Sequence, residues 1–394
     1  PMNFTQAAST FKINKNYIND IAYFTFIKQT ISDRDKDVKD VKEDKFVNTE
    51  EMQYLDICRK ILNEGVLEEG RNGFTKSIFG TSMRFSLQNN KIPIFTTKKV
   101  AWKTCLKELL WFISGSTDNN VLREQGVHIW DGNSTREYLD SVGLDYYDEN
   151  ELGPVYGRQW RNFNAPYISN INKRDMIAQG TDYDPEKGFD QFNNKLENIY
   201  NMLSHPQNDN EFAREHIKEL QKNIKFASQV QPENGVDQLQ YIIDCLKDPK
   251  RRNSRRLVLS AWNPCQMREM AIPPCHTLFQ FNVHDGNKLS CSMYQRSSDG
   301  FLGKCFNTCS YSFLTHLIAK HCGLEAHEFI HFVGNDHIYD DHYEQMEEQL
   351  KREPYEFPTL EIQNVKENIN DYVVSDFKIN NYKHHDPIKA VMRA

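Results

Sequence analysis

A thiol that attacks carbon must be ionised and reachable, so it needs positive charge close by and an opening to solvent. Of nine cysteines in the 394-residue sequence, Cys275 stands apart. It sits in Pro273-Pro274-Cys275-His276, where two prolines stiffen the approach and predict a fixed turn at the mouth of a strand. Arg255-Arg256 is expected to begin the preceding strand and Arg296 to end the following one. Were these strands neighbours, positive charge would collect round Cys275 and favour the thiolate. The plainer alternative is a strand-end cysteine among solvated arginines.

Other residue types extend the chemistry. Arg251, Arg252, Arg255, Arg256 and Arg296, with Arg71 in an upstream Gly-rich loop, form an unusual cluster for an acidic chain. Planar guanidinium groups pair bidentately with phosphate, which suits a phosphomonoester; Arg251 and Arg252 read better as surface charge. Glu108, inside the apolar run LKELLWF, is either solvent-facing or buried with a raised pKa fit for acid–base work. Asn307 precedes an apolar helix and reads most simply as its N-cap. Its amide also offers a donor and an acceptor together, matching the N3–H and C4=O edge of uracil. His337 and Tyr339 alternate, as on one side of a strand. The run 331–342 is rich in His and Asp but lacks H-x-x-x-H spacing, so no metal is expected there.

These groups need elements to hold them. Tyr54, Leu55, Cys58, Ile61 and Leu62 recur at helical spacing after Glu51. Residues 77–87 alternate as a strand, and 103–114 form an apolar helix stopped by Gly115. Residues 257–262, 277–283 and 289–294 predict adjacent strands of a largely antiparallel sheet, and 310–322 a helix ended by Gly323. The class is α+β. Residues 1–50 read as an N-terminal extension or interdomain linker, with alternating charge over 33–45. Residues 51–394 read as one catalytic domain with a helical insertion at 165–234. Pro1 before Met2 reads as a cloning remnant or the start of a piece cut from a longer chain.

Composition excludes several classes. No run approaches the ~20 apolar residues of a membrane span, and no secretory signal opens the chain. The net charge of -7 argues against DNA as a partner. An odd number of scattered cysteines without C-x-x-C spacing implies a reducing, cytoplasmic compartment.

The chain resembles the thymidylate synthase family. The resemblance rests on FTTKKVAWKTCLKELLWFISG (95–115), IWDGNSTREYLDSVG (129–143), LGPVYGRQWRNF (152–163), SRRLVLSAWNP (254–264), PPCHTLFQF (273–281), YQRSSDGFLGKCFNTCSYSFLTHLIA (294–319) and HFVGNDHIYDDH (331–342). It covers roughly 51–164 and 235–394. It implies a thymidylate synthase-like fold with helices on one face of the sheet and a sheet-to-sheet homodimer. It further implies reductive methylation of dUMP to dTMP by 5,10-methylenetetrahydrofolate, with no metal.

By resemblance, Cys275 is the nucleophile, with Glu108, Arg296 and Tyr156 as the other catalytic groups. The dUMP contacts implied are Arg71, Arg255, Arg256, Arg296 and Ser297 for the phosphate, Asn307 for the base, and His337 and Tyr339 for the ribose. His276, Gln295, Ser298, Asp299 and Ile338 complete that set. Arg255 and Arg256 would reach the partner subunit's site. Folate contacts are implied at Glu108, Trp130, Asn133, Asp299, Leu302, Gly303, Phe306, Tyr339 and Arg393, with the tail 387–394 closing over the ligands.

The chain departs from the family pattern in a shorter loop at Arg71, Cys305 for a usual proline, Ser298 for a frequent cysteine and Arg393 for an apolar residue. Competing readings are a deoxycytidylate hydroxymethylase of the same fold, a non-catalytic nucleotide binder, and one half of a bifunctional dihydrofolate reductase–thymidylate synthase. Asn307 in place of Asp speaks against the first.

Overall fold

Asn48 starts the first described helix, α1 (Thr49–Glu64), by accepting the Glu51 backbone N–H on its side chain at 3.1 Å. Tyr54, Leu55, Cys58 and Ile61 form its buried stripe at the expected spacing. The computed structural model describes residues 47–70, 72–172, 174 and 235–393. Arg71, the charged run 33–45 and nearly all of the 165–234 insertion therefore lie outside the described residues.

The expected helix 103–114 is α2 (Trp102–Ser114), stopped by Gly115 at φ 76, a left-handed value that glycine adopts without strain. Three short helices follow: α3 (Asn120–Arg123), α4 (Arg136–Ser141) and α5 (Tyr156–Arg161). The α5 backbone lies directly on α2, since a Cβ at Gly157 would come within 2.4 Å of the Phe112 carbonyl oxygen. That close approach brings Tyr156 against Phe112, ring centroids 4.8 Å apart. Helix α6 (Gln238–Lys247) precedes the arginine cluster.

One six-stranded sheet carries the site. Its strands are β1 (Val66–Gly70), β2 (Gly73–Ser86), β3 (Val258–Ser260), β4 (His276–His284), β5 (Lys288–Asp299) and β6 (Glu325–Tyr339), in the order β1-β2-β6-β5-β4-β3. Every neighbouring pair is antiparallel except β5–β6, which is parallel. The crossover between those two is α7 (Gly303–His321), a helix buried almost throughout. Helix α8 (Tyr343–Leu350) and a small pair, β7 (Thr359–Ile362) with β8 (Phe377–Asn380), follow in the described residues.

The class is thus α+β with a mixed, mostly antiparallel sheet. Phe279, Phe281 and Val283 of β4, Leu289, Cys291 and Met293 of β5, and Phe329 of β6 point into the core with α7. On the other face Leu278, Tyr294 and Phe332 remain 40%, 39% and 44% exposed. They stand opposite one another across three strands, Leu278 on Tyr294 and Tyr294 on Phe332.

Three sequence expectations change. Strand 77–87 begins earlier, at Gly73, and pairs with β1, whose fully exposed VLEEG shows no alternation to read. The helix expected at 310–322 begins at Gly303, so Asn307 lies inside α7 and is not its N-cap. The strand expected at 257–262 shrinks to Val258–Ser260, and Arg255-Arg256 lies in a turn before it. Val258 pairs with Gln280, in the middle of β4, and Gln280 Nε2 donates to the Arg255 carbonyl at 3.2 Å. This register holds the two arginines along the strand from Cys275, not beside it.

Candidate active site

The strand ends, the first turn of α7 and the body of α2 surround a cavity of about 1050 Å³. Cys275, Glu108, Tyr156 and Arg296 all line it. Cys275 is half-buried, immediately before β4. Its backbone N–H donates to Tyr156 Oη at 2.6 Å, which fixes the turn against α5. The stiff Pro273-Pro274 segment is tied down from the other side. Arg296 Nε donates to the Pro274 carbonyl and Nη2 to the Pro273 carbonyl, each at 2.9 Å. Nη2 also lies 3.7 Å from Cys275 Sγ, and the Arg296 backbone N–H donates to the Cys275 carbonyl at 2.9 Å. Among the described residues, the expected cation beside the thiol is Arg296.

Glu108 settles between its two readings: it is buried, not solvent-facing. Burial pushes its carboxyl up to about 7, while the hydrogen bond from Trp130 Nε1 (2.8 Å) pulls it the other way. At neutral pH it holds both protonation states in comparable amounts, as a group that gives and takes protons should. Tyr156 is held far above its ordinary range by burial, so its phenol stays protonated.

A relay of polar groups orients Asn307. His331 is kept neutral by burial and by the charge on Lys304. Thr308 Oγ1 lies 3.1 Å from His331 Nδ1, and His331 Nε2 lies 2.8 Å from Gln295 Oε1. Gln295 Nε2 donates to Asn307 Oδ1 at 2.9 Å and to the Ser297 carbonyl at 2.9 Å. The relay requires Nε2–H on His331 and leaves the Asn307 NH₂ for the cavity. His276, buried alongside, is pushed down to about 4 by desolvation; Asn307 opposes the shift and Arg296 adds to it. It too is neutral at pH 7.

The remaining expected residues divide. Gln295, Ser297, Asp299, His337 and Tyr339 line the cavity, as do Trp130, Asn133, Leu302, Gly303, Phe306 and Arg393. His337 and Tyr339 do share β6, and His337 Nδ1 meets Asn335 Oδ1 at 2.9 Å. Ser298 and Ile338 are buried in their strands away from the lining. Arg255 and Arg256 are exposed outside it. Arg71 lies outside the described residues.

Sequence reasoning missed Lys98, although it stands within the 95–115 motif. Its ammonium is buried in the cavity wall, donates to the Phe301 carbonyl and sits 3.4 Å from the centre of the Phe301 ring. It also missed an ion pair with no exposed atoms: Lys304 Nζ to Asp336 Oδ2 at 2.5 Å, with Thr81 Oγ1 donating to the same oxygen at 2.6 Å. This pair ties the start of α7 to β6 and β2. The tail docks over the cavity, where Ile388, Met392 and Arg393 line it. Arg393 donates to the Asn72 carbonyl (3.1 Å) and pairs with Asp341 at 2.9 Å.

A thiol beside a guanidinium, a carboxyl titrating near neutrality and a planar amide, all facing one cavity, can together carry nucleophilic and acid–base chemistry. The thymidylate synthase family model matches residues 52–394, and the chain belongs to that family. Its relatives include bifunctional dihydrofolate reductase-thymidylate synthases of Paramecium tetraurelia, Zea mays and Plasmodium berghei. They are 41%, 41% and 39% identical over 90%, 87% and 95% of this chain, and over 64%, 54% and 55% of their own lengths. The chain thus spans little more than half of those relatives.

Proposed function

We propose that this domain methylates dUMP to dTMP, with 5,10-methylenetetrahydrofolate supplying both the carbon and a hydride and leaving as dihydrofolate. The observation that carries the reading is Cys275 Sγ facing the cavity 3.7 Å from the Arg296 guanidinium, with Asn307 on the same lining. The Cys275 thiolate forms a bond to C6 of the pyrimidine, and the C5=C6 electron pair moves toward O4, making C5 nucleophilic. C5 bonds to the folate methylene carbon as that carbon's bond to N10 breaks, leaving it held by N5. Loss of the C5 proton then expels tetrahydrofolate and leaves an exocyclic methylene. Hydride transfer to that methylene and departure of Cys275 give the methyl group.

Roles for the chain's own groups follow from chemistry. Arg296 meets the phosphate and offsets charge on sulfur. Asn307 offers NH₂ to O4 and its oxygen to N3–H; cytosine reverses that pattern. Glu108 exchanges protons with O4 and the folate, and Tyr156 stands near the C5 proton. His337 and Tyr339 hold the ribose. Trp130, Leu302 and Phe306 make an apolar wall that suits a flat folate ring. Asn133 Nδ2, buried there without a partner, supports a polar contact to that ring. The Arg393-anchored tail excludes water.

The exposed row Leu278–Tyr294–Phe332 supports a sheet-to-sheet homodimer, in which Arg255 and Arg256 enter the partner subunit's cavity. The relatives' names support fusion to a dihydrofolate reductase, with residues 1–50 as extension or linker and 165–234 as an insertion within the domain. Nine free cysteines suit a cytoplasmic setting. No helix among the described residues is long and apolar enough to cross a membrane.

The deciding assay follows dihydrofolate absorbance with dUMP and methylenetetrahydrofolate. Turnover in the intact protein and its loss in Cys275→Ser are expected. No turnover, or full activity in Cys275→Ser, defeats the reading.

A further inference from the structure

At the far end of the same strands, roughly 30 Å along β4 from Cys275, two histidines and a glutamate converge. His284 ends β4, while His327 and Glu328 lie near the start of β6. Their ligand atoms all lie within 4.8 Å of one another. We propose that His284, His327 and Glu328 bind a divalent transition-metal ion, with Zn²⁺ the best chemical match, as a structural clamp between the β4–β5 hairpin and β6.

Four observations carry this. The first is a β-bulge: Leu289 pairs with Ala326 but Ser290 with Glu328, so His327 is an extra, unpaired residue. A bulge breaks the alternation of faces, which lets the consecutive His327 and Glu328 serve one cluster. Second, His327 Nδ1 is buried without a hydrogen-bond partner. Leaving such an atom unsatisfied costs stability, and a coordinated ion removes that cost.

Third, His284 is already oriented as a ligand. Its Nε2 lies 3.2 Å from Ser290 Oγ, which is 3.5 Å from Glu328 Oε1, so this nitrogen faces the cluster. Its Nδ1 lies 3.8 Å from Asp285 Oδ2. Asp285 pairs with Lys288 at 2.9 Å; drawn in to hydrogen-bond distance it would supply the carboxylate that usually supports a metal-bound histidine. Fourth, the donor set is two imidazoles and one carboxylate, which suits zinc with water in the fourth position. In a tetrahedral site, metal bonds of about 2.1 Å set ligand atoms about 3.4 Å apart, so the ligand atoms need to close by up to about 1.4 Å. All three side chains are half-buried and can rotate that far.

No sequence spacing betrays this site, because the histidines lie on different strands and meet edge to face, ring centroids 4.5 Å apart. The histidine-rich run 331–342 is not involved; His331 belongs to the Asn307 relay. Among the described residues the competitors are Arg84, which pairs with Glu328, and the Ser290 hydroxyl, which meets both His284 and Glu328. The cluster lies beyond the Leu278–Tyr294–Phe332 row, toward the hairpin.

The test titrates the purified full chain with Co²⁺ as a spectroscopic probe and displaces it with Zn²⁺. One equivalent should bind, with ligand-field bands but no sulfur-to-cobalt charge-transfer band. His284→Ala and His327→Ala should each weaken binding about tenfold or more. Arg84→Ala should tighten it several-fold by releasing Glu328, and it keeps the test decisive if a histidine variant fails to fold. Turnover of dUMP should be the same in all three. Absence of binding, a sulfur charge-transfer band, or an affinity unchanged in Arg84→Ala overturns the proposal. The outcome does not depend on the reaction assigned to Cys275.

Discussion

Tyr156 Oη and the Cys275 backbone N–H are joined at 2.6 Å, so the phenol proposed to work near the substrate also anchors the peptide that carries the nucleophile. Tyr156→Phe should lose both functions. Stability should fall by about 1 kcal/mol as the N–H loses its acceptor. The fall in kcat should be far larger, about a hundredfold or more, if the hydroxyl takes part in proton transfer. Thermal melts and steady-state rates separate the two effects.

Glu108 predicts a pH signature. Its folded pKa, about 7, lies above the ordinary 4.5, so between those values the folded chain holds a proton that the unfolded chain has released. Stability contributed by that proton is full below about pH 4.5 and is lost as pH rises through 7. Glu108→Gln should abolish this dependence and narrow or reverse the stability gap to the parent at pH 8, by on the order of 3 kcal/mol relative to pH 4. Urea melts at the two pH values measure it. The same substitution should remove a kcat inflection near neutrality.

Asn307 predicts a change of base. Asn307→Asp replaces the NH₂ that meets O4 with a group able to accept from the amino group of cytosine. The dUMP-to-dCMP ratio of kcat/KM should fall by at least about tenfold, or 1.4 kcal/mol. An unchanged ratio would contradict the base-reading role.

The Lys304–Asp336 pair predicts non-additivity. Lys304→Met alone strands a buried carboxylate and should cost about 3–5 kcal/mol, whereas exchanging both residues for apolar ones of similar volume should cost much less. A double-mutant cycle by chemical denaturation gives the coupling.

The open sheet face predicts an oligomeric change. Tyr294→Glu places a charge in the centre of the exposed apolar row and should convert the proposed dimer to monomer in sedimentation. If Arg255 and Arg256 complete the partner's cavity, activity should be lost with the dimer.

Much of the site was legible because its signals are local. Pro273-Pro274 announces a fixed turn, an acid inside LKELLWF announces burial or exposure, and the alternation at His337 and Tyr339 survives in β6. What failed was register. Arg255-Arg256 is near Cys275 in sequence, yet pairing of Val258 with Gln280 sets it elsewhere. Asn307 read as a cap because the helix start at Gly303 carries little apolar periodicity. The Gln295–His331 relay and the Lys304–Asp336 pair join residues about thirty apart, and only tertiary contact makes them partners.

The parallel pairing of β5 with β6, the one such pair among the described residues, has a kinetic meaning. Because both strands run the same way, Arg296–Asp299 and Asn335–Tyr339 emerge at the same end, and α7 must complete its crossover before they meet. No local hairpin can assemble that wall, since the chain must first close a long loop against its own entropy. A folding chain therefore gains its hairpins early and its substrate cavity late, so recovered turnover would report the slowest step of refolding rather than the first collapse.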